Sequence, residues 1–145
     1  MATVYLDSSI IVCIVTNDPR GIQASAILGS RNSCTSQLSV VECQAGLSYQ
    51  FSAAPGGLPA SEQILDNILA GMQIVQLTPT IISEARTLIR RHRSGLGLRT
   101  LDALHVASCT QMRAQLGDAA VEYITADRRQ HNAFTAEGFH GTLLS

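Results

Sequence analysis

Residues 2–16 read ATVYLDSSIIVCIVT: a short run of strand formers that stops at an aspartate, then two serines and a longer apolar run. Beta-branched and aromatic residues favour an extended chain, and Thr3, Val4 and Tyr5 among apolar neighbours predict a buried strand over residues 2–6. Serine is good N-cap chemistry, so SSIIVCIVT predicts a short apolar helix, which Asn17-Asp18-Pro19 stops. A strand running straight into a helix, with an acid at the junction, sets the expectation for the whole chain.

The alternation continues outward. Residues 21–29 suit a second helix and SCTS (33–36) a very short strand. From Ser36 or Ser39 onward, LSVVECQAGLSYQF has helical spacing. SAAPGGLPA (52–60) is the only clear loop-rich stretch, and nine residues are too few for a domain linker. Residues 60–70 predict an amphipathic helix with Glu62 and Asp66 on its wet face, and MQIVQL (72–77) a strand. Thr78-Pro79 opens a helix to about Arg93, with proline at the first helical position. SGLGLR (94–99) predicts a turn, Thr100 caps a helix to about Gln115, VEYITA (121–126) is a strand and GFHGTLL (138–144) supplies a last one. Alternating strands and helices predict an α/β fold, a parallel sheet with helices on both faces.

Composition narrows the class. The 145 residues are 46% hydrophobic and 14% charged, which excludes a disordered chain and predicts one domain over residues 1–145. Net charge is −1, so any phosphate-binding patch must be local. Cys13, Cys34, Cys43 and Cys109 have no CxxC spacing, and three lie in apolar runs; buried free thiols are expected. No signal-type segment or membrane-length run is visible, which predicts a cytoplasmic protein without membrane attachment.

Four carboxylates are embedded in or flanked by apolar segments: Asp7 in VYLDSSIIV, Glu42 in LSVVECQAGL, Asp102 in RTLDALHVA and Asp127 in VEYITADRR. Each has a local explanation. Asp7 caps the following helix, Glu42 closes a capping box with Ser39, Asp102 is a first-turn acid favoured by the helix dipole, and Asp127 is a turn residue. Four such coincidences are harder to accept than one cause. In α/β sheets ligands bind beyond the carboxyl ends of the strands, where all four can converge. Carboxylates sharing a site repel unless something positive lies among them, and the chain contains no lysine. A divalent cation is the natural counter-charge, and metal-assisted phosphodiester chemistry is the leading expectation. Arg99 is the candidate for binding substrate phosphate near Asp102. Arg86, Arg90 and Arg93 fall on one helical stripe, a solvated face with a phosphate-tracking or partner-contact alternative. His105 follows Asp102 by three residues and reads first as a packing histidine.

YLDSSIIV, SQLSVVECQAGL, LRTLDALHVASC and YITADRRQHNAF, in this order, resemble the PIN-domain ribonucleases, specifically their VapC-type toxin branch. The resemblance spans almost the whole chain and implies a three-layer α/β/α fold around a short, mainly parallel sheet. It implies a catalytic set of Asp7, Glu42, Asp102 and Asp127, with Asp7, Asp102 and Asp127 holding Mg²⁺ or Mn²⁺ and Ser8 (or Ser9) and Thr125 supporting them. For Ser9 itself helix capping is the favoured reading. The resemblance further implies RNA as substrate, a cognate antitoxin and a homodimer. Two departures are the stretch between Asp102 and Asp127, longer than the pattern, and the extended connection at residues 52–59. A receiver-like phosphoacceptor domain would need a lysine, and a haloacid-dehalogenase-type phosphatase a second aspartate where Ser9 stands. A non-catalytic PIN-like RNA- or protein-binding module and a housekeeping processing nuclease remain as alternatives.

Overall fold

The computed structural model describes residues 2–116 and 121–145. The chain runs β1 (Thr3–Leu6), α1 (Ser8–Val15), α2 (Pro19–Leu28), β2 (Ser33–Ser36), α3 (Gln37–Gln50), a single 3-10 turn (Pro55–Gly57) and α4 (Leu58–Ala70). It continues through β3 (Gln73–Val75), α5 (Pro79–Arg91), α6 (Thr100–Gln115), β4 (Val121–Thr125), α7 (Arg128–Ala136) and β5 (His140–Leu143). The lengthened connection after α3 is therefore filled by the 3-10 turn and an early start to α4. The connection before β4, expected to be long, falls at residues 117–120 and lies outside the described residues.

The five strands form one sheet in the order β3-β2-β1-β4-β5, and every described pairing is parallel. From β1 the chain steps outward through β2 to β3, then returns to the other side of β1. Right-handed crossovers in opposite directions place the helices on opposite faces. Side-chain alternation along the strands confirms the sandwich. Val4 and Leu6 join a core with Ile10, Ile11, Leu47 and Leu65 from the α1–α4 side. Tyr5 and Tyr123 point the other way, into a core with Ile81, Leu88, Val106 and Phe134 from the α5–α7 side. Phe134 stacks on Tyr123 at a centroid distance of 4.5 Å and meets Tyr5 edge-on at 5.7 Å, tying α7 to both central strands. All four cysteines are free and buried, as their apolar settings predict. Burial pushes the Cys34 and Cys43 thiols up to about 12, out of the range of reactive thiolates.

The N-terminal helices meet at one close approach. Asn17 takes φ +57° to end α1, and Asp18 caps α2 by accepting from the Arg20 amide. Gly21 then lies so near α1 that a Cβ added there would stand 2.2 Å from the Cys13 carbonyl oxygen. Both groups are backbone, so neither gives way. Gly21→Ala is expected to cost about 2–3 kcal/mol by overpacking, a fall in Tm of several degrees measurable by calorimetry.

Three local readings change in the structure. The capping box at Ser39 does not form, because Ser36 caps α3 and Ser39 bonds Thr35 at 2.6 Å; Glu42 is free to point elsewhere. Arg99, not Thr100, holds the cap position of α6, since the Asp102 carboxylate reaches back to the Arg99 amide at 3.2 Å. The nine-residue α7 was not anticipated, although its signals are present: Asp127 caps it and Gly138 follows with φ +80°.

Candidate active site

The sheet reverses its strand order between β1 and β4, and the crevice beyond the carboxyl ends of those strands is where an open α/β sheet binds ligands. Asp7 directly follows β1 and Asp127 follows β4 by one residue. Asp102 enters from the first turn of α6, and Glu42 from α3 on the opposite face of the sheet. All four carboxylates line a single cleft of about 350 Å³, together with Arg99, Arg129, His105 and Gln130.

Asp7 is the most confined of them, 3% exposed. Its Oδ1 accepts from the Ser9 hydroxyl at 2.6 Å and the Ile10 amide at 3.3 Å, and its Oδ2 from the Thr125 hydroxyl. Thr125 in turn accepts from the Asp127 amide at 3.0 Å, and Ser9 from the Ala126 amide at 3.1 Å. Two hydroxyls thus lock the end of β1 to the end of β4 through one carboxylate. Thr125 makes its bond to Asp7 from the end of β4. On the N-terminal side it is Ser9, read as a capping residue, that bonds Asp7; Ser8 lines the cleft without a hydrogen bond to Asp7. Asp7 also caps α1, accepting from the Ile10 amide.

Burial pushes the Asp7 carboxyl above its ordinary value, against the opposing pull of His105 and the three hydrogen bonds. Asp102 is also pushed up, first by burial, with the negative charge of Asp127 adding to it and Arg129 and His105 opposing. Both shifts thus arise mainly from removal of the carboxylates from water. Asp127 is exposed and caps α7, with Oδ1 accepting from the Arg129 and Gln130 amides at 2.8 and 3.3 Å. Among the described residues, no three His, Cys, Asp or Glu side chains stand close enough to form a ready metal cage. The donor set nonetheless suits a hard cation. Every acid supplies oxygen, Asp7 and Asp102 share the cleft, and Mg²⁺ commonly keeps several waters beside one or two carboxylates.

Glu42 is held by a residue whose importance was not legible in the sequence. His105 Nε2 lies 2.6 Å from Glu42 Oε1, and its Nδ1 lies 2.7 Å from the Tyr5 hydroxyl. A carboxylate only accepts, which places a proton on Nε2; Nδ1 shares the second hydrogen bond with the Tyr5 hydroxyl. Burial holds the Tyr5 hydroxyl in its protonated form. Only the i, i+3 spacing from Asp102 hinted at this placement. Gln130, likewise missed, ties α7 to α6 by donating to the Asp102 carbonyl at 3.2 Å. His105→Ala is expected to lower stability by about 1–3 kcal/mol, because it strands the buried Tyr5 hydroxyl. Adding Tyr5→Phe removes the stranded group, so the double variant should be less destabilised than the sum of the two singles in urea melts.

Arg99 lines the cleft. Arg86 and Arg90 do not. They rim a separate groove of about 390 Å³ with Ile82 and Ile89, and Arg93 lies beyond the end of α5.

The PIN domain family profile matches residues 4–134, and the chain belongs to that family. Solved structures share the fold at low identity. VapBC2 from Rickettsia felis, bound to a DNA fragment from its promoter, has a TM-score of 0.68 at 14% identity, covering 99% of both chains. The Mycobacterium tuberculosis toxin VapC20, described as cleaving the sarcin-ricin loop, has a TM-score of 0.63 at 17% identity, covering 94% of this chain and 95% of its own. A toxin–antitoxin complex from Klebsiella pneumoniae has a TM-score of 0.62 at 16% identity, covering 88% of each. No curated protein matches by sequence. No helix among the described residues is long and apolar enough to cross a membrane.

Proposed function

We propose that this chain is a metal-dependent endoribonuclease and the toxin of a toxin–antitoxin pair. The observation that carries the reading is the convergence of Asp7, Glu42, Asp102 and Asp127 on one cleft at the sheet's reversal point. Membership of the PIN family and a fold shared with VapC-type toxins support it.

Asp7 and Asp102 would hold Mg²⁺ or Mn²⁺, with Asp127 reaching it directly or through water. Bound there, the ion would polarise the scissile phosphate and make a neighbouring water more acidic. The chain's own residues do the rest. Ser9 and Thr125 fix the Asp7 carboxylate in one orientation, so that no reorganisation is needed during the reaction. Glu42, held by His105 across the cleft, orients the attacking water and accepts its proton. Arg99 and Arg129 attract the RNA backbone into a cleft that would otherwise repel it.

Purified protein incubated with RNA should cut internally in Mg²⁺ or Mn²⁺ and stop when a chelator is added. Undiminished cleavage in excess EDTA would defeat the metal-dependent reading, and an absence of cleavage would favour a binding module. An active ribonuclease of this kind would need an inhibitor in the cell. An antitoxin that lays an apolar segment on the surface and inserts a basic side chain among the acids would supply one. The toxin–antitoxin complexes among the structures of similar fold support this pairing, and a homodimer and cytoplasmic location go with it. Expression of the chain alone should arrest growth, and co-expression of a small neighbouring gene should relieve the arrest. Harmless expression of active nuclease would point instead to RNA processing.

A further inference from the structure

Among the described residues a single hydrogen bond joins α3 to α6, helices on opposite faces of the sheet, and it runs from His105 to Glu42. The His105 side chain is 4% exposed, and both of its nitrogens are engaged. Tyr5 holds the ring from below: its hydroxyl bonds Nδ1, and its own ring stands edge-on at a centroid distance of 6.0 Å and 78°. Tyr5 is fully buried on β1, two residues before Asp7, so the ring is anchored to the central strand. Glu42 is the outer member of the chain, with its side chain 21% exposed. It stands where the acidic cleft meets a larger cavity of about 720 Å³; Arg129 lines the first and Arg128 the second. His105 takes Oε1, and Oε2 makes no hydrogen bond among the described residues. Packing alone does not call for this arrangement. A leucine would fill space beneath α6 without two buried polar atoms to satisfy. The outer bond of the ring also runs to a carboxylate of the cleft rather than to a group of the core.

We propose that Tyr5 and His105 form a positioning chain for Glu42: the Nε2–H of His105 fixes Oε1 and so aims Oε2 at the attacking water, while Tyr5 sets the plane of the ring. This rests on the ribonuclease reading and adds residues that act on the reaction only through Glu42. A glutamate on a helix has three free side-chain torsions, and ordering them during the reaction would raise the barrier. Fixing them in the folded protein removes that cost, and a group misplaced by about 1 Å loses on the order of 100-fold in rate. Nε2 carries a proton whether the ring is neutral or charged, so the hold on Glu42 is geometric and survives a change in the charge of the ring. His105 is a positioning residue, and the edge of its ring that matters is Nε2.

The test replaces one edge of the ring at a time. The amide nitrogen of glutamine reaches the place of Nε2, and that of asparagine only the place of Nδ1. In saturating Mg²⁺, His105→Asn should lower kcat for RNA cleavage about 30-fold to 100-fold with KM changed less than about twofold, while His105→Gln should stay within about fivefold of the parent. Tyr5→Phe keeps the Nε2 donor and only loosens the ring, so its loss should be smaller than that of His105→Asn. His105→Leu combined with Tyr5→Phe strands no hydroxyl, and it provides a folded protein without the donor if His105→Asn does not fold; its kcat should fall as far. Adding His105→Asn to Glu42→Ala should slow cleavage no further than Glu42→Ala alone, because both remove the same function. The bond itself is read without catalysis by ¹⁵N-edited NMR in EDTA: the Nε2–H of His105 should resist exchange in the parent and lose that protection in Glu42→Ala. Equal kcat in the asparagine and glutamine variants, multiplied losses in the double variant, or protection that Glu42→Ala leaves intact would overturn the chain while a cutting enzyme remains a ribonuclease. A parent that cuts no RNA would end the ribonuclease reading and this role of His105 with it.

Discussion

Asp7→Asn should abolish RNA cleavage, by about 1000-fold or more, while making the metal-free protein more stable. The loss follows from the charge. The site must present an anion to a cation and a phosphate, and a few kcal/mol of transition-state stabilisation corresponds to that factor. The gain follows from the burial that pushes the Asp7 carboxyl up. Asparagine keeps the size, its carbonyl can accept from Ser9 and Ile10, and its amide can donate to the Thr125 oxygen. The sign of the pH dependence is fixed by the raised value. Between the unfolded and folded carboxyl values the native state holds more protons, so the Asp7 protein loses stability as pH rises through that window. Asp7→Asn does not suffer this loss. In EDTA its Tm should exceed that of the parent at neutral pH, and the difference should shrink as pH falls toward the ordinary carboxylate range. Full cleavage by the variant would remove Asp7 from the chemistry. A variant less stable at every pH would mean that the hydrogen bonds outweigh the charge.

Mg²⁺ or Mn²⁺ should raise the Tm of the Asp7 protein by about 5–10 °C at a hundredfold excess over the dissociation constant, and leave Asp7→Asn almost unmoved. A ligand that binds only the native state at that excess stabilises it by about 2.7 kcal/mol, which for a chain of this size is a shift of that order. Part of that affinity would come from relief of the repulsion that the negative charge of Asp127 imposes on Asp102. Asp102→Asn should therefore lose most of the metal-induced shift as well, whereas Arg86→Ala, on a separate groove, should keep it. Differential scanning fluorimetry with and without chelator reads all four proteins without requiring catalysis. An equal shift in the parent and Asp7→Asn would place the ion elsewhere.

The architecture was largely legible because it depends on local chemistry. ATVYL before Asp7 and VEYIT before Asp127 are short runs of strand formers soon followed by a residue that caps a helix, and SCTS ends on its own cap, Ser36. Such punctuation acts between neighbours in the chain, so the spacing of residues records it. α7 was overlooked for a reason of the same kind: RRQHNAFTA has few apolar residues, and only Ala133 and Phe134 carry its packing, leaving little periodicity beside clear caps.

The four carboxylates could be nominated from their apolar settings, but the partners of each could not, because those partners are distant in the chain. Thr125 reaches Asp7 across 118 positions and His105 reaches Glu42 across 63, contacts that exist only once β1 and β4 pair and α3 and α6 pack on opposite faces of the sheet. Whether Ser8 or Ser9 turns toward Asp7 depends on how the first turn of α1 lies against Ala126, and the sequence offers two equal hydroxyls. The division of Arg128 and Arg129 between two cavities is of this kind as well. Adjacent residues on a helix diverge by about 100°, and what each one faces is decided by the elements that surround it. Short-range preferences, written residue by residue, determine the strands, the caps and the identity of the acids. The orientation of each side chain and its charge environment arise from packing between segments remote in sequence, and only the folded chain holds them.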